Sequence, residues 1–465
     1  MRTTYDPRSF KALTFHDATA RFRDGSDSPR AYLERCLETI EAREAVVKAF
    51  TATNTSGARA AADASSARWR SGKPLSAIDG LPIGIKDLLE TKDMPTEMGC
   101  AAYRGNFPKR DNAAVWALRQ AGAIIVAKTT TAELGGTHPP ATTNPFDPAR
   151  TAGGSSSGSA AAVAARMLPA AIGTQVGGSI IRPAAFCGNF ALKPTQGAIN
   201  RGERQATSMS THGVHAGSLE DMWQVAIEIA VRAGGDRGSP GLAGPMTTPA
   251  ALRPETLIVL ETEGWVRVDD ATREAFQRFI NALESAGITL LTRRSSIEVE
   301  ALEKAIVDAT SIASEITAWE NRWATRNLVD QFPDGVSARA KATLAKAEAM
   351  TPAQYRHRLL ERQQAQVTHA AMAQLADAAI TLSCPGPAPL WSGDKPGEPL
   401  APRPTGDAVF NYPSSMLFAP VVTLPLLAVG GMPVGIQVMG QPHQDQRVTG
   451  LARWLARTIA PVVVD

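Results

Sequence analysis

The sequence contains a run of glycine and serine, GGSSSGS at 153–159, that leads directly into the alanine-rich segment SAAAVAARM at 159–167. Glycine permits sharp backbone turns, and a helix of small side chains can pack closely against its neighbours. Residues 132–159, which end with this run, are rich in Gly, Pro, Thr, Ser and Asn, which is typical of a loop. A loop of this length inside a compact domain is usually functional. We therefore expect a functional loop that ends at a closely packed helix.

Helical and strand patterns alternate at both ends of the chain. Helical spacing is clear at 29–47, where Ser28 is the expected N-cap, and AIIVAK at 123–128 is a short buried strand. Residues 256–292 have a strand–helix–strand pattern, and the tail from 421 to 459 alternates again. This order predicts a single α/β domain with a helical insertion rather than separate domains. Its expected regions are a helical N-terminal region (1–75), a core (76–200), a helix-rich insertion (298–406) and a C-terminal return to the core (407–465).

Composition narrows the function. The formal net charge of +3 is small for 465 residues, and no dense Lys/Arg block is present, so no nucleic-acid partner is expected. Four widely spaced cysteines form no CxxC pair and no metal-ligand spacing, which favours free thiols in a reducing compartment. No apolar run approaches the roughly 18–20 residues that cross a bilayer, and the N-terminus has no apolar signal-peptide region. We expect a cytoplasmic enzyme without a membrane partner.

Taken alone, the glycine-serine loop has three interpretations. A phosphate loop lacks the G-K-[ST] that should follow. A nucleophile elbow fits Gly154–Gly158 as G-x-S-x-G with Ser156 at its centre, but the turn-rich TNPFDPARTA before it is a poor strand. A turn that caps a helix is the simplest interpretation. Two further motifs change the balance: GTQVGGSIIRPAAFCG contains Ser179 in a second glycine turn, and GLPIGIKDLLE places Lys86 in an apolar setting.

Together the three segments resemble the amidase-signature family. The resemblance covers GLPIGIKDL at 80–88, the block from Gly153 to Gly197, KTTTAEL before the loop and APVVTLPLLAVGGMPVGIQVMGQP near the end. It implies an α/β/α domain with a central mixed, twisted sheet covered by helices. It also implies a hydrolase of small amides that needs no cofactor and no metal.

The resemblance assigns a role to each motif. Ser179 is similar to the family nucleophile, Ser155 to a bridging serine reached through a cis Gly154–Ser155 peptide, and Lys86 to the base. The backbone N–H groups of Val176, Gly177, Gly178 and Ser179 would form the oxyanion hole. Burial disfavours a charged amine, so a lysine among apolar side chains can be a neutral proton acceptor. Ser156 and Ser157 are then structural, and Ser157 is the expected contact behind the triad.

The sequence departs from the usual family string D-x-G-G-S-I-R-x-P at two positions. Gln175 replaces the acid, and Arg182 lies one position later than the usual arginine. The malonamidase-like branch of the family has this arrangement, and there the shifted arginine binds a substrate carboxylate. Bonding of Arg182 to backbone carbonyls is an equal alternative. Thr137, followed by His138, would line the pocket by family position.

The expected function is therefore hydrolysis of a small-molecule amide, with a malonamate-like carboxylate on the substrate as a further hypothesis. The alternative is a component similar to the A-type subunit of the tRNA-dependent glutamine amidotransferase, which works in a multi-subunit complex. We rank it lower because such a glutaminase is expected to keep the D-x-G-G-S and S-I-R pattern. Helical insertions in such folds often form dimers, so a homodimer is compatible with the sequence.

Overall fold

The structure, a computed structural model, describes residues 2–203, 207–395 and 397–465. Within them, 12 strands form one sheet. The strands are β1 (Phe50–Thr53), β2 (Pro82–Lys86), β3 (Ile124–Thr129), β4 (Ala170–Gln175), β5 (Phe190–Lys193), β6 (Thr211–Ala216), β7 (Thr256–Val259), β8 (Thr289–Leu291), β9 (Ala378–Leu382), β10 (Val421–Val429), β11 (Met432–Met439) and β12 (Val462–Val464). Their order is β1-β3-β2-β4-β6-β5-β10-β11-β9-β7-β8, with β12 beside β10.

Helices surround this sheet. They are α1 (Thr19–Asp24), α2 (Pro29–Val47), α3 (Thr55–Arg70), α4 (Ala113–Gln120), α5 (Ser157–Ala164), α6 (Ile181–Cys187), α7 (Leu219–Ala233), α8 (Asp270–Ser285), α9 (Ile297–Ala305), α10 (Ala309–Gln331), α11 (Ala338–Ala349), α12 (Pro352–Ala371), α13 (Tyr412–Met416) and α14 (Asp445–Thr458). Parallel pairs, such as β2 with β3 and with β4, occur beside antiparallel ones, such as β10 with β11. The predicted α/β domain with a mixed sheet is confirmed.

Two hydrophobic cores lie on opposite faces of the sheet. In β7, Leu257 and Val259 belong to the larger core, whereas Ile258 between them belongs to the smaller one. In β9 the same alternation separates Ile380 from Ala379. Because side chains of a strand point alternately to the two faces, this period of two requires helices on both sides. The sheet is therefore the middle layer of the domain.

Two regions that the sequence analysis describes as helical also contribute strands to the sheet. The N-terminal region 1–75 contributes β1, which pairs with β3 at one end of the sheet. The region 298–406 contains most of four helices, α9 to α12, and also β9, which lies inside the sheet between β11 and β7. The helix-rich stretch is thus connected to the sheet by β9, a strand that the sequence analysis assigned to the helical insertion.

Most local predictions are confirmed with small shifts at the ends. The helix at Pro29–Val47 begins after Ser28, whose side chain accepts the Ala31 N–H as the expected N-cap. All four cysteines are buried and free (Cys36, Cys100, Cys187 and Cys384). Among the helices that the structure describes, none is long and apolar enough to cross a membrane.

The helix after the glycine-serine loop begins earlier than its composition suggests. It covers Ser157–Ala164, because Ser156 still has a non-helical ψ of 53°, and it ends before Arg166, whose φ is 60°. Every residue of α5 is buried. The Gly158 N–H donates to the Thr130 carbonyl. A Cβ on Gly158 would overlap the Ala49 carbonyl oxygen and the Thr130 amide nitrogen. Glycine at 158 thus lets α5 reach the ends of the strands.

This packing generates a stability prediction. Gly158→Ala should lower the free energy of unfolding by about 3 kcal/mol, because the atoms that meet the new methyl belong to the backbone. Gly25→Ala is the matched control, since Gly25 has a φ of 78° but nothing within 4 Å of an added Cβ. It should cost only about 1 kcal/mol. Urea denaturation of both variants measures the difference, and an equal or smaller loss for Gly158→Ala would contradict the packing argument.

Candidate active site

Three neighbouring parallel strands end at the same edge of the sheet. These are β2, β3 and β4, which end at Lys86, Thr129 and Gln175. The loops that follow them carry the motifs selected from the sequence. Crevices beyond the carboxyl ends of parallel strands are the usual ligand sites of open α/β sheets. The fold therefore brings the loops after these three strands, which are up to about 90 residues apart in the chain, to the same edge of the sheet.

The amine of Lys86 lies at the centre of this place. The side chain is fully buried. Its Nζ is 2.8 Å from Ser155 Oγ, 2.9 Å from Ser156 Oγ and 2.8 Å from Thr174 Oγ1. Burial, and secondarily the positive charge of Arg182, lower the pKa of Lys86 well below its ordinary value of 10.5. The lysine is thus held by hydroxyl groups rather than by a carboxylate.

The three serines of the loop make different contacts. The Gly154–Ser155 peptide is cis, as the family resemblance implies. Ser156, not Ser157, makes the additional contact with Lys86. The Ser157 hydroxyl instead donates to the Gly153 carbonyl at 2.7 Å and closes the first turn of the loop. Ser157 thus bonds the loop, as expected of a structural serine, whereas the additional contact with the lysine belongs to Ser156. The reason is that α5 begins at Ser157 and turns that hydroxyl back along the chain.

Sequence reasoning missed Thr174. It is a polar residue in the buried strand AAIGTQ, and its hydroxyl and carbonyl oxygens lie 2.8 and 3.3 Å from Lys86 Nζ. The Ser156 hydroxyl also donates to the Thr174 carbonyl at 3.2 Å. A threonine directly after the apolar start of this strand was the available signal.

The loop after β4 presents a row of backbone donors without acceptors. Within the described residues, the N–H groups of Val176, Gly177, Gly178 and Ser179 have no hydrogen-bond partner. Ser179 is half-buried, and its carbonyl accepts the Ser156 N–H at 3.3 Å, which joins this loop to the serine loop. Such a row can stabilise a negatively charged oxygen.

Arg182 lies in the first turn of α6 and is 6% exposed. Its Nη2 donates to the Gly154 carbonyl at 2.6 Å and to Thr405 Oγ1 at 3.1 Å. Its Nε is buried without a partner, and within the described ranges the guanidinium bonds to a carbonyl and a hydroxyl rather than to a carboxylate. Burial lowers the pKa of Arg182 from its ordinary value. The backbone interpretation thus holds for Nη2, while Nε has no partner among the described residues.

Thr137 and His138 lie on an exposed part of the loop after β3. The His138 carbonyl accepts the Glu133 N–H and closes a short turn there. The approach to the lysine site is made by Gly135, because a Cβ placed on it would lie 3.8 Å from Ser155 Oγ. Thr137 is exposed, and the structure shows no hydrogen bond from its side chain to the described site residues.

Two buried histidines, also missed in the sequence, lie on β6 opposite β4. His212 pairs with Thr174 and His215 with Ala171 in the strand register. Burial is the main cause that lowers the pKa of each imidazole to about 3, and the Lys86 charge contributes to both. Neither ring nitrogen of His215 has a hydrogen-bond partner among the described residues. Both rings are neutral near pH 7, and neither forms a hydrogen bond with a serine hydroxyl among the described residues.

Comparison with known proteins agrees with this geometry. The family model described as Amidase matches residues 31–449. The chain belongs to the amidase family. This is the family that the sequence motifs predicted, and it makes the protein an amidohydrolase, an enzyme that cleaves amide C–N bonds.

Relatives of this amidase include proteins named for a different role. The A-type subunit of glutamyl-tRNA(Gln) amidotransferase from Chloroflexus aggregans is 32% identical over 453 residues, covering 89% of this chain and 89% of that protein. The same subunit of Myxococcus xanthus is 30% identical over 473 residues, covering 95% and 96%.

Solved structures share the fold of this amidase over nearly its whole length. The crystal structure of an amidase has a TM-score of 0.83 and 28% identity, covering 96% of this chain and 100% of that one. The peptide amidase from Stenotrophomonas maltophilia has a TM-score of 0.78 at 23% identity, covering 97% and 98%, and shows the fold alone.

Proposed function

We propose that this amidase hydrolyses a small amide through an acyl-enzyme on Ser179, with Ser155 as proton relay and Lys86 as base. The observation that carries the proposal is the fully buried Lys86 amine, 2.8 Å from Ser155 Oγ, beside a loop of unpaired N–H groups. Nucleophilic catalysis of amide cleavage needs a hydroxyl, a base, a trap for the oxyanion and an acid for the leaving amine. The site contains a candidate for each role.

The proposed reaction begins as Ser179 Oγ attacks the amide carbon. Its proton passes to Ser155 Oγ, and the Ser155 proton passes to the neutral amine of Lys86. The carbonyl oxygen becomes an oxyanion that the N–H groups of residues 176–179 hold. When the C–N bond breaks, the proton returns from Lys86 through Ser155 to the leaving nitrogen. Water then attacks the Ser179 ester by the same relay and releases the carboxylic acid.

The surroundings of Lys86 support its role as a base. Its partners are uncharged hydroxyls and a carbonyl, whose oxygens accept hydrogen bonds from the ammonium when the lysine is charged. The hydroxyls can also donate to its lone pair when it is neutral. The Arg182 charge further disfavours the ammonium form. This environment suits a lysine that alternates between its two protonation states at each turnover.

We further propose that the substrate carries a carboxylate close to the scissile amide, as malonamate does. Arg182 is three positions after Ser179 in the chain, and its Nε has no partner. A buried guanidinium without an acidic partner is costly, and a carboxylate would satisfy it through charge-assisted hydrogen bonds. The paired change of the family acid to Gln175 and of the arginine position supports the malonamidase-like branch.

The second candidate is an amidotransferase component, which the names of the relatives favour. The absence of the D-x-G-G-S pattern at 175–179 favours the simple hydrolase instead. Assay of the purified chain on glutamine and on malonamate separates the two. Hydrolysis of malonamate by the chain alone supports the hydrolase. Glutaminase activity that appears only with a copurified partner supports the amidotransferase.

The first prediction concerns the nucleophile. Ser179→Ala should lower kcat by roughly 10⁴-fold or more, since no oxygen remains to form the ester. It should also abolish the mass increase that a phosphonofluoridate gives with the native protein. Ser156→Ala is the control, because the nucleophile-elbow interpretation makes Ser156 the attacking residue. Labelling that persists in Ser179→Ala and disappears in Ser156→Ala would reverse the assignment.

The second prediction concerns pH. The base is active when Lys86 is neutral, so kcat/KM should rise with pH through an apparent pKa well below 10.5 and fall as acid protonates the amine. Lys86→Ala should remove most of the rate and this rising limb. Lys86→Arg is the matched control, because arginine keeps a cation and donors but does not deprotonate. If Lys86→Arg retains near-normal turnover at neutral pH, another group is the base.

The third prediction concerns substrate choice. Arg182→Gln should raise KM for malonamate by about 10- to 100-fold, as expected for loss of hydrogen bonds between charged groups. The KM for malonamide, its neutral counterpart, should change little. Steady-state kinetics are measured on both substrates. Malonamide is the control, because damage to the fold would impair hydrolysis of both. Equal losses on both substrates would show that Arg182 only supports the Gly154 loop.

A further inference from the structure

Gln175, the residue that replaces the usual acid, is oriented by two backbone donors. Its side chain is fully buried at the end of β4. The N–H groups of Ile180 and Ile181 lie 2.8 and 3.0 Å from its Oε1. Because a backbone N–H can only donate, the amide oxygen must face these two groups. The amide nitrogen of Gln175 must therefore face the opposite side.

On that side Gln175 meets Ser415 of α13. Gln175 Nε2 donates to Ser415 Oγ at 3.3 Å, and Ser415 Oγ donates to the Gly177 carbonyl at 2.9 Å. Ser415 is 1% exposed, so water does not replace either bond. A hydroxyl has a single proton to give. Since Gln175 offers a donor, that proton is available for the Gly177 carbonyl.

The Gly177–Gly178 peptide transmits this bond to the row of N–H groups. In a planar trans peptide the C=O and the following N–H point in opposite directions. Holding the Gly177 carbonyl towards Ser415 therefore turns the Gly178 N–H away from α13. That N–H has no partner within the described residues. A Cβ at Gly177 would lie 2.6 Å from Tyr412 Cε1, so the first residue of α13 packs against the same peptide.

We propose that Gln175 and Ser415 are positioning residues that orient the Gly178 N–H towards the oxyanion, an inference that rests on the proposed function. The direction of the hydrogen-bond chain requires an amide at 175. A carboxylate there would still accept from Ile180 and Ile181. However, its second oxygen would take the Ser415 proton in a stronger, charge-assisted bond and leave the Gly177 carbonyl without a donor.

The principal test is Ser415→Ala. Loss of the bond to the Gly177 carbonyl should lower kcat by about tenfold, less than the loss of an oxyanion donor itself, and change KM by less than about twofold. Affinity for a boronic acid, which forms a tetrahedral adduct with the nucleophile, should weaken by the same factor. Affinity for the carboxylate product should not change.

Ser414→Ala is the matched control. Ser414 is equally buried in the same helix, but its hydroxyl donates to the Asn411 carbonyl within that turn. This variant should keep the native kcat and boronate affinity. An equal loss in Ser414→Ala and Ser415→Ala, or no loss in Ser415→Ala, overturns the inference.

The direction of the hydrogen bonds from Gln175 through Ser415 to the Gly177 carbonyl is tested with Gln175→Glu. This variant is assayed at alkaline pH, where the carboxyl is ionised. Gln175→Glu and Ser415→Ala both remove the donor from the Gly177 carbonyl. The double variant should therefore have about the same activity as the less active of the two single variants. Losses that multiply would mean that the two residues act separately, against the inference.

Phosphonofluoridate labelling separates this inference from the proposed function. If the native protein is labelled at Ser179 and Ser415→Ala behaves as native, only the positioning role fails. If the native protein is labelled at another residue, the proposed function fails, and the positioning role fails with it.

Discussion

The burial of the Lys86 amine is the constraint on which the rest of the site depends. An ammonium removed from water is stable only with charged or polar partners, and a nearby carboxylate would keep it protonated. Lys86 instead has hydroxyl partners, while Asp87, the next residue, pairs with Lys128 at 2.9 Å. The Asp87 carboxylate is therefore paired with another lysine, and the glycine-serine loop supplies neutral partners to Lys86.

The candidate oxyanion loop depends on parts of the chain that are distant in sequence. Glycine at 177 and 178 leaves room for α13, since a Cβ at either position would collide with Tyr412 or Asn411. The C-terminal return to the sheet through β10 and β11 brings this helix to the loop. The signature block thus contains the N–H groups, and the C-terminal segment packs against one side of their loop. This arrangement explains why the family resemblance extends to both segments.

Sequence reasoning succeeded where the signal was local. Period and composition located the helix at Pro29–Val47 and its cap, and the glycine motifs selected Lys86, Ser155 and Ser179, which the fold collects at one edge of the sheet. It failed for Thr174, for the contact of Ser156 and for the buried histidines of β6. A single polar residue in a strand has no pattern of its own, and its partner depends on which strand lies beside it.

By itself, the sequence determined the family, the fold class and the residue types of the candidate site, because glycine turns and apolar strands constrain the backbone wherever they occur. Only the tertiary structure decided which hydroxyl faces the lysine, which amide faces Ser415 and which edge of Arg182 remains unpaired. Strand register decides which of these groups lie next to each other. Two donors cannot bond to each other, so each donor must face an acceptor. A hydrogen bond forms only where a donor meets an acceptor, and that meeting is between residues far apart in the chain.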